Sequence, residues 1–287
     1  MTIATFLKQA SGQIELGFPS EAIARLMVLL DLAAENGTRL DQARSELTAH
    51  PVFALLQQDP AVAVAQVGGA DRINRLVSQI SSASNHDIAA SAFNRAICAR
   101  VKHAGDLLSR AWQDGREIAV LGDCFDAELM GLRGRDLSNL TIGASTAERA
   151  AQLAALLGPS AAIAALNATD ILIAAAAARS QFDLIYLPRA AETMDAAALA
   201  SLLEQARTVL APAGSIVAPA FLAGRIAHGW QHACLNWRVQ SHSEVGLAAA
   251  CSSENLQVRL IGDQAGCFVW LVASQANSSV AKRGELP

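Results

Sequence analysis

An apolar run that meets a single glycine and then an acidic stretch stands at residues 118–130, IAVLGDCFDAELM. The run before Gly122 is typical of a buried strand, and the residues after it predict the start of a helix. Because glycine lacks a Cβ, the backbone there can approach a ligand closely, and a helix start can bind an anionic group. The same glycine also suits a tight strand-to-helix turn without any ligand. The sequence therefore allows either a ligand-binding turn or a turn that is only structural.

The cysteines and histidines do not predict a metal centre. The five cysteines are odd in number and never in C-x-x-C spacing, which indicates reduced thiols rather than a disulfide framework or a zinc site. His228 and His232 are four residues apart, with His242 further along. An i, i+4 histidine pair can bind a metal ion, but no nearby cysteine or carboxylate completes the set.

Composition excludes several classes of protein. The chain has 287 residues, 52% hydrophobic and 17% charged, which is typical of a globular protein. Its net charge is −4 and no dense Lys/Arg cluster is present, so nucleic-acid binding is not expected. The most apolar stretches are alanine-rich and interrupted by polar residues, so no membrane span is expected. Together with the reduced cysteines and a start unlike a signal peptide, this predicts a cytoplasmic protein.

Helical patterns occupy the first part of the chain, and residues 1–112 are predicted as a helical region. One helix is predicted within residues 19–37, a short one within HPVFALLQQDP at residues 50–60, and a long one from about residue 85 to Trp112. Phe93, Ile97, Val101 and Leu108 form one apolar stripe on the long helix.

From residue 113 onward, strand-like and helical patterns alternate. The strand-like runs are REIAVLG, NLTIGAS, AAIAALN, FDLIYLP and GSIVAPAF, and helical stretches separate them, the last of which is AALASLLEQARTVLAP. This alternation predicts a parallel sheet in an α/β fold. The pattern of residues 256–263 and 267–274 predicts an antiparallel hairpin instead. An α/β domain is therefore predicted over residues 113–275, followed by a disordered tail at residues 276–287.

Five βα units closed by a hairpin match the sheet of class I S-adenosylmethionine (SAM) methyltransferases. Residues from about 12 to 274 resemble bacterial methyltransferases that use SAM to methylate the carboxyl of 3-hydroxy fatty acids such as 3-hydroxypalmitate. The segments that carry the resemblance are HPVFALLQQDP, GDCFDAEL, FDLIYLPRAAETMD, LEQARTVLAPAGSIVAPAFLAG and HGWQHACLNWRVQSH. It implies a Rossmann-like, seven-stranded sheet of order 3-2-1-4-5-7-6 behind a helical N-terminal region.

The resemblance also implies a set of residues at the SAM site. They are Gly122, Asp123, Cys124 and Glu128 in the first turn, Ala144 and Ser145 after the second strand, Asn167 and Asp170 after the third, and Leu187 after the fourth. In the family an acidic residue after the second strand accepts hydrogen bonds from the ribose hydroxyls, and here the matching position is Ala144. Asn167 or Asp170 would meet the adenine, although its position favours Asp170 as a helix N-cap.

A substrate pocket is implied as well. Its residues are Pro188, Phe221, Trp230 and Trp237. Arg189 could meet a carboxylate, although its position favours a surface role. Two further family features are replaced in this chain. VGGADRIN stands where the family has Pro-Arg-Gly-Tyr-Ala-Gly-Asp, and Ser241 and His242 stand where it has a Tyr-Arg pair that would hold a carboxylate.

Three family features are replaced in this chain: the ribose-binding acid, the Pro-Arg-Gly-Tyr segment, and the Tyr-Arg pair that would hold a carboxylate. These replacements favour a pseudo-methyltransferase. Such a protein would retain a SAM site in weakened form, with lost or weak catalysis, and would act by binding a small-molecule or fatty-acid-like ligand or a protein partner. An active SAM-dependent O-methyltransferase on a small carboxylic or fatty-acid-like substrate is the alternative. A third interpretation is a member of a complex whose contact surface is the helical N-terminal region.

Overall fold

The computed structural model describes residues 40–57, 74–78, 92–223, 239–263 and 268–275, with isolated positions at 7–32 and 232–237. The chain divides into two compact units. The first comprises residues 1–99, 223–239 and 264–267, and the second comprises residues 100–222, 240–263 and 268–287. The predicted division at residues 112 and 275 stays a prediction, and the predicted tail lies outside the described residues.

Helices are the regular elements that the structure describes in residues 1–99 of the first unit. Helix α1 spans Leu40–Thr48, α2 spans Val52–Leu56, and residues 74–78 are also helical. Helix α2 confirms the short helix predicted after Pro51. The predicted helix within residues 19–37 and the start of the long helix lie largely outside the described residues. Helix α3, Ala92–Gln113, is the described part of that long helix and ends one residue beyond the predicted end.

The second unit contains one sheet of eight strands. The strands are β1 (Ile118–Leu121), β2 (Leu140–Gly143), β3 (Ala162–Ala164), β4 (Phe182–Tyr186), β5 (Leu210–Leu222), β6 (Ser241–His242), β7 (Leu256–Gly262) and β8 (Phe268–Gln275). Their order is β3-β2-β1-β4-β5-β8-β7. Strands β1 to β5 are parallel, whereas β8 is antiparallel to both β5 and β7.

This order confirms the predicted class I SAM methyltransferase topology. The count of seven strands is corrected to eight, because β6 pairs in parallel with Phe221 and Leu222 at the end of β5. Strands β8 and β7 therefore take the places predicted for the seventh and sixth strands. Two residues of pairing are too short to leave an alternating pattern that could be recognised in the sequence.

Within the described ranges of the second unit, seven helical segments connect the strands. They are α4 (Asp126–Leu129), a 3₁₀ turn (Met130–Leu132), α5 (Ala147–Leu157), α6 (Ala168–Ala177), α7 (Ala190–Thr193), α8 (Ala196–Arg207) and α9 (Glu244–Cys251). Polar side chains accept a hydrogen bond from a backbone amide at four of the helix starts, namely Thr146, Asn167, Asp195 and Ser243. These caps satisfy amides that have no partner within the helix.

The boundary between α8 and β5 differs from the prediction. The stretch AALASLLEQARTVLAP was expected to be helical throughout, but α8 ends at Arg207 and β5 begins at Leu210. The register between β4 and β5 shifts between Phe182 and Leu184, next to the added part of β5. Pro212 lies in this first part of β5. Proline is compatible with a strand where the pairing is irregular.

Two apolar cores cover the two faces of the sheet. Residues alternate along each strand, so Ala119 and Leu121 of β1 join one core while Ile118 and Val120 join the other. Helices α6, α8 and α9 contribute to the first core, and α3, α4 and α5 contribute to the second. The resulting three layers fix the carboxyl ends of β1 to β4 at one edge of the sheet.

Candidate functional site

A cavity of about 200 Å³ lies at the carboxyl ends of β1, β2, β3 and β4. Its walls come from the loops that follow these strands and from α8: Leu121, Gly122, Asp123, Ser145, Leu166, Asn167, Ala168, Arg189, Ala190, Thr193, Met194 and Leu202. The strand order reverses between β1 and β4, which is where open α/β sheets form ligand crevices. Its volume is below the roughly 300–1,000 Å³ of common small-molecule pockets.

Gly122 fits both roles that its sequence position allows. Its φ is +113°, a conformation that residues with a Cβ rarely adopt, so the turn itself requires glycine. A Cβ at this position would meet no atom within 4 Å, which leaves open space in front of the backbone. The turn is fixed by a hydrogen bond from the Gly122 amide to the Gly143 carbonyl, 3.0 Å.

Asp123 ties the loop after β1 to the loop after β2. One carboxylate oxygen accepts from the Ser145 amide at 3.0 Å, and the other accepts from the Ser145 hydroxyl at 2.5 Å. Both residues line the cavity. The carboxylate of Asp123 is therefore bonded at the end of β2, beside Ala144, the position predicted to match a ribose-binding acid.

Ala144 itself is fully buried and packs in the core on the α3 side of the sheet. It does not line the cavity. Its amide donates to the Ala164 carbonyl at 2.9 Å, so the backbone is held against the end of β3. The next acidic residue, Glu148, is exposed on α5. No acidic side chain of this loop therefore lines the cavity.

Asn167 and Asp170 are bonded to each other. The Asn167 side chain accepts from the Asp170 amide at 2.9 Å and donates to the Asp170 carboxylate at 2.7 Å. Asn167, rather than Asp170, is thus the N-cap of α6. Only Asn167 of the two lines the cavity.

Three other residues predicted at the cofactor site, Cys124, Glu128 and Leu187, are buried outside the lining of the cavity. The Cys124 carbonyl accepts from Arg149, and burial raises the pKa of the Cys124 thiol, which disfavours a reactive thiolate. Pro188, predicted for the substrate pocket, is likewise not part of the cavity wall. Its carbonyl accepts a hydrogen bond from Arg100 at 2.5 Å.

Arg100 belongs to a buried polar cluster, which we call the Arg100 network, comprising Arg100, Glu128, Tyr186 and Glu192. Arg100 lies in α3, with its Nη1 donating to Glu192 and its Nε 3.4 Å from Glu128. Tyr186 donates to Glu128 at 3.1 Å, and the Phe125 amide donates to the second oxygen of Glu128 at 3.2 Å. The guanidinium carbon also lies 4.7 Å from the centre of the Phe125 ring, which is a cation–π contact.

Opposing charges keep Arg100 ionised inside the protein. Burial alone would lower the pKa of Arg100, but the carboxylates of Glu192 and Glu128 outweigh it and raise that pKa. Burial raises the pKa of Glu128, although Arg100 and two hydrogen bonds act in the opposite direction. Burial, followed by the nearby charge of Glu128, raises the pKa of Tyr186, so its phenol stays protonated and donates.

The Arg100 network reaches the cavity through Glu192. One oxygen of Glu192 binds Arg100, and the other accepts from Nε of Arg189 at 3.2 Å. Arg189 is a cavity wall residue whose side chain is 24% exposed, so the lining contains a cation as well as the carboxylate of Asp123. The Glu192 carbonyl accepts from the Gln240 amide at 2.7 Å.

Sequence reasoning missed the Arg100 network, although one signal was present. Arg100 follows Ile97 by three residues and precedes Ala104 by four, so it lies on the apolar stripe of α3. A charged residue on the buried face of a helix needs a partner of opposite charge. Nothing in the sequence identified Glu128 and Glu192 as those partners, since they lie 28 and 92 residues further on.

The described part of the predicted substrate pocket is divided between the two units. Phe221 is buried in the second unit, with its ring 4.1 Å from that of Phe268. Trp237 is buried in the first unit, and Trp230 lies outside the described residues. Neither Phe221 nor Trp237 lines the cavity at β1 to β4.

The described histidines and helices add no further site. His232 pairs with Asp41 at 3.1 Å within the first unit, while His228 lies outside the described residues. No group of three or more potential metal ligands occurs within the part of the chain that is described. Among the helices that the structure describes, none has both the length and the apolar character needed to cross a bilayer.

Comparisons with known proteins point to the fold. No family model and no curated protein matches the sequence. A crystal structure of a protein from Bordetella parapertussis, described as a possible exported protein, is 16% identical, with a TM-score of 0.52 over 85% of this chain and 95% of that one.

Two methyltransferase structures are also similar. Mitomycin 7-O-methyltransferase is 18% identical, with a TM-score of 0.46 over 95% of each chain. Magnesium protoporphyrin IX methyltransferase from Synechocystis PCC 6803, solved with bound SAM, is 6% identical, with a TM-score of 0.44 over 80% of this chain and 93% of that one.

Identities this low establish architecture and not activity. The architecture rests on the sheet itself, in which five parallel strands are followed by an antiparallel β8 inserted between β5 and β7. The chain has the Rossmann-like fold of class I SAM-dependent methyltransferases.

Proposed function

We propose that this protein is a methyltransferase-like protein in which methyl transfer is lost or weak, and which acts by binding a small ligand or a protein partner. One observation carries the proposal. The end of β2 presents the buried methyl group of Ala144 where a ribose-binding carboxylate is expected, and that residue does not reach the cavity.

The energetic consequence for SAM binding is large. A carboxylate that accepts from both ribose hydroxyls contributes hydrogen bonds to a charged group, each worth about 1.5–3 kcal/mol. Losing both would weaken binding by roughly 100-fold or more. In the absence of the acid, the ribose hydroxyls would have only water or neutral groups as partners.

The remaining polar groups of the cavity support the same conclusion. Asp123 is bonded twice to Ser145, and Asn167 is bonded twice to Asp170. A nucleoside that used these groups would first have to break bonds that already satisfy them. Part of its binding free energy would be offset by that exchange.

An active SAM-dependent O-methyltransferase is the second candidate, and one specific observation favours it. The Asp123 carboxylate is bonded to Ser145 and is therefore a carboxylate beside the end of β2, supplied by the neighbouring loop. In this role Asp123 would accept from the ribose hydroxyls in place of the missing acid. The substrate would be a small carboxylic or fatty-acid-like molecule.

Calorimetric titration with SAM and S-adenosylhomocysteine distinguishes the two candidates, after mass spectrometry has checked the purified protein for a retained ligand. The pseudo-methyltransferase predicts a dissociation constant weaker than about 100 μM for the wild type. It predicts a roughly 10- to 150-fold gain for Ala144→Asp only where the loop after β2 turns the new carboxylate from the core toward the cavity. Because Ala144 is buried, thermal unfolding of the variant must show that the fold is retained.

Asp123→Asn provides the opposing test. Low-micromolar binding by the wild type that is lost in Asp123→Asn would establish the second candidate and contradict the first. Weak binding of SAM by the wild type that is unchanged in Asp123→Asn would contradict the second candidate, the active methyltransferase. Ser160, whose hydroxyl contacts the Arg135 carbonyl away from the cavity, offers a matched control as Ser160→Ala.

A further inference from the structure

An apolar surface lies on the outside of α6 and the adjoining end of β3. Ile173 is 62% exposed and Leu166 is 43% exposed. Exposed alanines precede and follow them in the chain, namely Ala162, Ala165, Ala174, Ala176 and Ala177. We call these seven residues the α6 surface. It carries no charged side chain, and two of its members are large hydrophobic residues that the fold leaves in water.

Strand β3, from which the chain enters α6, lies at the edge of the described sheet. β3 pairs with β2 on one side, and no strand in the described ranges pairs with its other side. Edge strands are usually shielded by a charge, a proline or a bulge, because their free amides and carbonyls invite pairing. Residues 161–166, AAIAAL, contain no charge and no proline, so the short length of β3, three residues, is what limits pairing at this edge.

Charges of opposite sign flank the α6 surface. Asp170 lies in the first turn of α6, and Arg179 lies two residues beyond its last residue, Ala177. Both side chains are exposed. Asp170 receives a hydrogen bond from Asn167, and neither Asp170 nor Arg179 has an ion-pair partner within the part of the chain that is described.

We infer that the α6 surface binds a second copy of this chain, forming a two-fold symmetric dimer in which the two α6 helices run antiparallel. A two-fold axis brings the same surface together from both copies, so an apolar surface is complementary to itself. Antiparallel helices place Asp170 of each copy beside Arg179 of the other, forming two ion pairs. A parallel arrangement would instead bring like charges together.

The edge of β3 enlarges this interface. A two-fold axis perpendicular to the sheet keeps both α6 helices on the same side and runs the two β3 edges antiparallel. Stable interfaces bury roughly 1,000 Å² or more in total, which is more than one short helix face provides. The inference is independent of the cavity chemistry, since the α6 surface shares only Leu166 with the cavity wall.

Analytical ultracentrifugation of the full chain tests the dimer. The wild type is expected to change from monomer to dimer over a range of about 1–100 μM. Ile173→Glu places a charge in the apolar centre and is expected to be monomeric at every concentration. The matched control is Val245→Glu on α9, where an apolar side chain is 81% exposed outside the α6 surface. It should associate like the wild type.

Charge exchange tests the antiparallel orientation. Arg179→Asp replaces two attractions with two repulsions and should weaken the dimer by roughly tenfold or more. Asp170→Arg combined with Arg179→Asp should restore it. Arg179→Gly removes the charge and should therefore weaken the dimer. Because Arg179 has a φ of +55°, a conformation that glycine adopts more readily, the same substitution should raise the melting temperature of the monomer.

Two results would overturn the inference. One is a wild type that stays monomeric throughout the concentration range. The other is a dimer that persists unchanged in Ile173→Glu. Failure of the exchanged pair to recover association, with melting temperatures that show a folded variant, would overturn the antiparallel arrangement.

Discussion

At the scale of single residues, the Arg100 network is the feature with the largest energetic consequences. Arg100, Glu128 and Glu192 are at most 2% exposed, and each depends on the others for charge compensation. Such clusters contribute little net stability when complete, yet removing one member leaves the others buried and unpaired. The network therefore makes α3, the turn after β1 and the loop after β4 interdependent.

Arg100→Ala is expected to destabilise the fold by about 3–5 kcal/mol, because it leaves Glu192 and Glu128 without their buried cation. Urea unfolding measures the change. Arg116→Ala is the control, since Arg116 pairs with Asp114 at 3.5 Å on the surface and its loss should cost at most about 1 kcal/mol. Similar losses in the two variants would contradict the compensation argument.

Glu128 predicts a pH dependence of stability. Burial raises the pKa of Glu128 in the folded state above its ordinary value of about 4.3. The folded protein then binds this proton more readily than the unfolded chain, so the contribution of Glu128 to stability is greatest below about pH 4.3. It is lost as the pH rises through the raised folded pKa.

Glu128→Gln removes this titration. The free energy of unfolding of the wild type minus that of Glu128→Gln should therefore decrease as the pH rises from about 4.3. Urea titrations of both proteins at a series of pH values measure this difference. An increase over the same range would mean that Arg100 outweighs burial and holds the pKa of Glu128 low.

At the scale of elements, helix caps connect the stability of the fold to the cavity. Asn167 begins α6 and also forms part of the cavity wall, whereas Ser243 begins α9 away from it. Each cap satisfies a backbone amide that would otherwise lack a partner. The start of α6 is therefore fixed before any ligand arrives.

Asn167→Ala should cost about 1 kcal/mol of stability, within the usual range of about 0.5–2 kcal/mol for a lost cap. Asn167→Ser keeps an oxygen that accepts from the Asp170 amide, so it should remain close to the wild type. Ser243→Ala measures the loss of a cap outside the cavity. Equal stabilities of Asn167→Ala and Asn167→Ser in urea unfolding would show that Asn167 does not stabilise α6 through its cap.

Elements with a clear period were predictable from the sequence, and short ones were not. The five parallel strands and the hairpin formed by β7 and β8 follow from apolar runs separated by helical patterns. Helix α7 has four residues, too few to establish a period. Helix α9 was missed because its buried face consists of only Leu247 and Cys251 among alanines. Contacts between distant residues, such as Asp123 with Ser145, leave no local pattern at all.

At the scale of the whole described sheet, strand order determines where the backbone is best protected. β4 is paired on both sides, with β1 and β5, whereas β7 pairs only with β8 among the described strands. Edge strands open more readily than central ones because fewer contacts hold them. The sheet should therefore show graded local stability.

Hydrogen exchange followed by mass spectrometry should find slower exchange in peptides from β4 than in peptides from β7. The Leu184 side chain in β4 is fully buried, whereas Gln257 in β7 is exposed, which gives a convenient pair of reference positions. Exchange of β7 as slow as that of β4 would indicate that its outer edge is covered. The comparison is best made in Ile173→Glu, so that any association through α6 does not contribute.

The sharing of Glu192 between two arginines has a consequence for redesign of the cavity. Because Arg100 takes one oxygen of Glu192, only the other remains for Arg189, and the cation in the wall is incompletely neutralised. Replacing Arg100 with an uncharged residue of similar volume would leave Glu192 wholly to Arg189. The charge of the cavity wall would then change through a substitution that lies outside the wall, together with the loss of stability expected for removing the Arg100 charge.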